Sequence, residues 1–83
     1  MAHKYMIYEV RYNEKANAYE TWAAITEDHY PKKEDFWLEM SCQCVEAKSF
    51  EGKNFIHSEI LKAITRAYYQ GFEVDYRIKL DEK

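Results

Sequence analysis

The sequence predicts an α+β fold: an antiparallel sheet of about four strands, in the order β-β-short α-β-α-β, packed on one long amphipathic helix. Three observations predict it. A helix-period stretch runs from Phe55 to Gln70, a faultlessly alternating stretch follows from Phe72 to Leu80, and two earlier segments, 4–12 and 18–26, are rich in aromatic and β-branched residues. With 83 residues, 47% of them hydrophobic and 33% charged, the chain has the composition of a folded domain and the length for one core. Residues 1–83 are read as a single domain.

Residues 4–12 show no helical stripe over nine positions and read as a strand; residues 18–26 read likewise despite their alanines, with the polar loop Asn13 to Asn17 between them. The register of this hairpin follows from side-chain chemistry, because a one-residue slip moves a strand's whole side-chain set to the other face. Tyr12 opposite Tyr19 also sets Val10 against Thr21, Tyr8 against Ala23 and Met6 against Ile25, with Arg11 facing Glu20 behind. Tyr12 opposite Ala18 would instead place Val10 against Glu20. Cross-strand pairs differ by roughly 0.2–1 kcal/mol each, which favours the first register and leaves Tyr5, Ile7, Trp22 and Ala24 on the second face.

Pro31 and the acids after it predict one or two helical turns through Phe36, Trp37 and Leu38. Residues 40–50 alternate weakly, with Met40, Cys42 and Cys44 on one face, and predict a third strand ending in the turn Glu51-Gly52-Lys53. Asn54 is then the expected N-cap of a helix from Phe55 to Gln70. Ile56, Ile60, Ala63, Ile64 and Ala67 form its core stripe, Leu61 and Tyr68 widen that stripe, and Gly71 is the C-terminal cap. In the last strand Phe72, Val74, Tyr76, Ile78 and Leu80 point inward, and Glu73, Asp75, Arg77 and Lys79 outward.

Net charge is −3, and residues 13–59 alone carry −5. Twelve basic residues scattered among fifteen acidic ones argue against duplex nucleic-acid binding, which needs a concentrated Lys/Arg surface. The acidity is also too small to imitate the phosphate field of DNA. Met1-Ala2-His3-Lys4 leads into a mixed segment unlike a signal peptide, and no stretch approaches the roughly 18–20 apolar residues of a membrane span. The expectation is a cytoplasmic protein with reduced thiols and no membrane attachment.

Cys42 and Cys44, with His3, His29 and His57, are the available metal ligands. A one-residue gap and isolated histidines do not fit the paired ligands of structural zinc, so packing is the expected role of the cysteines. His57 with Glu59 and Asp28 with His29 are the nearest things to acid–base pairs. Residues two apart on a helix do not face each other, and the second pair falls in a solvated loop. The glycines, Gly52 and Gly71, stand singly in turn and cap roles rather than in a phosphate loop, and no cofactor is implied.

The aromatics are more informative: two Trp, eight Tyr and four Phe exceed what a small core needs. One helix covers one sheet face, so Tyr5, Ile7 and Trp22 form an apolar patch on the other unless Phe36-Trp37-Leu38 folds over it. These features predict a small non-catalytic binding or regulatory protein, an inhibitor or adaptor, acting through protein–protein contacts as a homodimer. The interface residues are Tyr5, Ile7, Trp22, Phe36 and Trp37. A second reading is single-stranded nucleic-acid binding by stacking on Tyr5 and Trp22 with Lys4 and Arg11, weakened by Glu9 and Glu20 on the same face. A third is a small enzyme or metal-binding protein.

Overall fold

The computed structural model describes residues 4–46 and 50–79. Four strands and one helix make an α+β fold: β1 (Tyr5–Asn13), β2 (Ala18–Thr26), β3 (Trp37–Gln43), α1 (Phe50–Tyr69) and β4 (Glu73–Lys79). The sheet order is β3-β2-β1-β4. β1 and β2 pair antiparallel with Tyr12 opposite Tyr19, Val10 opposite Thr21, Tyr8 opposite Ala23 and Met6 opposite Ile25, the register that side-chain chemistry predicts. The sheet is mixed rather than purely antiparallel, because β4 lies parallel to β1, Tyr5 beside Glu73 and Arg11 beside Lys79. Helix α1 carries the chain back across the sheet, so β4 enters in the same direction as β1.

Asn17 secures the hairpin. Its φ of 49° lies in the left-handed region, where Asn is better tolerated than most residues. Its Oδ1 accepts from the Tyr12 hydroxyl, its Nδ2 donates to the Cys44 carbonyl at 3.1 Å, and its carbonyl accepts from Cys44 N at 2.8 Å. The turn is thereby tied to the residue that leaves β3.

The segment from 31 to 39 departs from expectation. A single 3-10 turn, Lys33–Asp35, replaces the predicted helix, with Asp35 Oδ2 accepting from Lys32 N at 2.8 Å. Trp37 and Leu38 belong to β3, which begins three residues earlier than predicted and carries a bulge opposite Thr21 and Trp22. Trp37 favours a strand, and both residues gain a backbone ladder against β2 that an isolated turn does not offer. Beyond Gln43 the predicted third strand does not continue; its residues 47–49 lie outside the described residues.

Helix α1 starts at Phe50, so Glu51-Gly52-Lys53 is helical and Asn54 is an interior residue rather than the N-cap. Gly52 falls one turn before Ile56 on the buried side, where packing against the sheet outweighs a turn preference. Gly71, φ 93°, ends the helix as predicted: Phe72 N donates to Ala67 O and Gly71 N to Tyr68 O, the paired bonds of a Schellman cap.

The core lies between α1 and one sheet face. Met6, Tyr8 and Ala23 meet Ile60, Ala63 and Ala67, while Val10, Tyr19 and Cys44 meet Ile56, and Tyr76 packs against both groups. Leu61 and Tyr68 do not join this core; both are exposed on the flank of α1. Leu80 lies outside the described residues.

Candidate functional site

The sheet face away from α1 is covered by the connection from residue 27 to 36. His29, at φ 67°, sets its ring edge-on against Tyr5 with centroids 4.8 Å apart, and its Nε2 lies 3.4 Å from Asp75. It is thus half-buried rather than solvated as expected, whereas Asp28 is exposed, as expected, and accepts from Tyr30 N. Farther along, the Arg11 guanidinium carbon stands 5.0 Å from the Trp22 ring and 5.1 Å from the Phe36 ring, with Nε donating to Glu9 at 2.7 Å. Trp22 Nε1 in turn donates to Glu20, which also accepts from Asn13.

The five predicted interface residues therefore do not form one open patch. Ile7 is 0% exposed, Tyr5, Trp22 and Phe36 are half-buried beneath or within the connection, and Trp37, 40% exposed, sits on β3 with Nε1 donating to Glu39. Of the nucleic-acid candidates, Arg11 does meet Trp22, but it lies over the ring on which a base would stack, and Lys4 is exposed before β1. A cleft of about 500 Å³ beside this cluster is lined by Glu9, Arg11, Pro31, Lys33, Phe36 and Arg77. Its cations are largely matched locally, Arg11 by Glu9 and Arg77 by Asp75 at 2.9 Å.

Cys42 and Cys44 are free thiols, the first half-buried and the second buried. Burial, then proximity to Cys44, pushes the Cys42 thiol above the usual cysteine range, which keeps it protonated and poorly nucleophilic at neutral pH. Among the described residues no three His, Cys, Asp or Glu side chains are disposed to hold a metal ion. His57 shares a hydrogen bond of 3.0 Å with the Tyr76 hydroxyl, while Glu59 accepts from Lys62. No helix of the described residues is long and apolar enough to cross a membrane.

The outer edge of β4 is a second candidate surface. Among the described residues no strand pairs with it. Glu73 N donates to Lys4 O at 3.1 Å, so residues 73, 75, 77 and 79 turn their backbone groups to β1. By the alternation of a parallel ladder, the N–H and C=O groups of Val74, Tyr76 and Ile78 turn outward. On the helix side this edge is flanked by two hollows. One, of about 570 Å³, lies against Ile64, Tyr68, Phe72 and Val74; the other, of about 200 Å³, lies against Val10, Ile56, His57, Tyr76 and Ile78. His57, Leu61 and Tyr68 share one flank of α1 by helical spacing, and the His57 bond to Tyr76 fixes that flank above β4.

Tyr68 lines the first hollow and Ile78 the second, both exposed, and exposed Leu61 shares the Tyr68 flank of α1, so the two hollows form a trough along the outer edge of β4. The alternation of the last strand pointed to Val74, Tyr76 and Ile78 as a set; only the strand order reveals that they stand at an edge. Comparison with family models, with curated proteins and with solved structures finds no match to this chain.

Proposed function

We propose that this protein acts by binding another polypeptide, without catalysing a reaction, and that the β4 edge with its flanking trough is the surface it uses. The observation carrying this reading is the outward backbone of Val74, Tyr76 and Ile78 beside two apolar hollows. An extended segment laid along such an edge gains main-chain hydrogen bonds, and every second side chain enters the hollows, which is recognition by strand addition. Occupying a partner in this way suits an inhibitor or adaptor.

Panning a displayed peptide library tests the proposal. Enriched sequences should carry apolar residues at alternate positions and lose binding to Ile78→Pro. That variant removes an outward N–H while leaving the β1 ladder its donors. Peptides that bind the variant as well as the parent chain would move the site away from β4.

A further inference from the structure

We propose that the polypeptide received by the β4 edge is a second copy of β4, paired antiparallel about a two-fold axis through Tyr76. The inference rests on the strand-addition reading above and names its partner. Its warrant is the order of charges along the strand. Glu73 and Asp75 precede Arg77 and Lys79, so reversing β4 against itself sets position 73 opposite 79 and Asp75 opposite Arg77. The pairing is isologous, each copy offering the same patch, as a two-fold interface requires.

Backbone geometry and charge select the same register. Within β4 the outward groups are those of Val74, Tyr76 and Ile78, so the partner strand slides in steps of two residues. With Tyr76 opposite Tyr76 and Val74 opposite Ile78, each pair exchanges two hydrogen bonds, about six in all. Asp75 and Arg77 of the other copy then form a pair not bonded through the backbone, where side chains stand closest. A slide of two residues one way sets Asp75 against Asp75; the same slide the other way sets Arg77 against Arg77. Like charges directly opposite oppose pairing, and either slide also cuts the opposite-charge pairs from four to two, so the charges favour this register over its neighbours.

The chosen register also joins groups that are already placed. Asp75 and Arg77 are bonded within each chain at 2.9 Å with side chains about one-third exposed, 28% and 33%, so the two pairs merge into a ring of alternating charge. On the helix side Ile78, 54% exposed, is covered by Val74 of the second copy. An axis perpendicular to the sheet leaves both helices on one side, with Leu61 and Tyr68 of each facing the seam.

Sedimentation equilibrium over a micromolar concentration range, with circular dichroism to confirm folding, tests the inference by charge exchange. The unmodified chain should dimerise. Asp75→Arg and Arg77→Asp should each raise the dimer dissociation constant by about tenfold or more, since two like-charged pairs replace two opposite ones. Mixing the two variants should restore association, because each then supplies what the other lacks, and the double exchange D75R/R77D should dimerise alone. Ile78→Pro should be monomeric. A chain that stays monomeric throughout while Ile78-dependent peptides bind overturns the second copy as occupant and leaves strand addition standing. A dimer indifferent to Ile78→Pro and to both charge variants overturns the interface itself.

Discussion

Asn17 shows how much structure one side chain can hold. It occupies a left-handed backbone position and bonds to both the Tyr12 hydroxyl and the Cys44 carbonyl, so hairpin and β3 meet at a single residue. Asn17→Ala should destabilise the fold by about 2 kcal/mol, from lost hydrogen bonds and a disfavoured φ. Asn17→Gly relieves the backbone part alone, so urea denaturation should rank the parent above Gly and Gly above Ala. Tyr8 and Tyr76 carry a pH dependence. Burial raises both phenols above the ordinary tyrosine range; for Tyr8, Glu39 adds to the rise and Arg66 opposes it. In the unfolded chain the phenols ionise near about 10, while in the fold they keep their protons to higher pH. The unfolded state therefore binds fewer protons in that window, and stability falls as pH rises above about 10. Tyr8→Phe should flatten the fall in urea midpoint between pH 9 and 11, roughly the window around that value; an unchanged slope would remove Tyr8 from the account.

At the scale of elements, what could be read from the sequence follows how local the deciding interaction is. The β1–β2 register was readable because a slip would have buried Glu20 against Val10, a conflict visible in two neighbouring segments. The C-terminal end of α1 was equally plain, since Gly71 alone supplies the cap conformation. No atom lies within 4 Å of where a Cβ would stand, so Gly71→Ala should cost about 1 kcal/mol by backbone strain alone, measurable as a lowered melting temperature. The start of α1 was hidden because Gly52 reads locally as a turn, and its helical state depends on the sheet beneath. Trp37 and Leu38 read as a helical turn for the same reason: a short apolar run has no period, and pairing with β2 decides its state. The direction of β4 has no local signal at all.

For the whole molecule, strand order governs what the surface offers. The same residues, Val74, Tyr76 and Ile78, would be ordinary core on a central strand; at the edge they floor a trough. Conversely, Tyr5 and Trp22 looked like a surface in the sequence, because the sequence does not say where the 27–36 connection travels. His29 and Phe36 bring that connection across the face, which turns an apparent patch into a second, polar and aromatic layer. The aromatic excess is therefore divided between sealing one face and bordering a trough on the other.

The parallel pairing of β1 with β4 also orders events during synthesis. Tyr5 must wait for Glu73 before its ladder is complete, so β1 emerges from the ribosome long before its second neighbour exists. Until then the half-made sheet of β1, β2 and β3 exposes β1, richer in apolar side chains than the charged strand that will cover it. Adding β4 last exchanges an edge rich in apolar side chains for one that alternates apolar with charged residues.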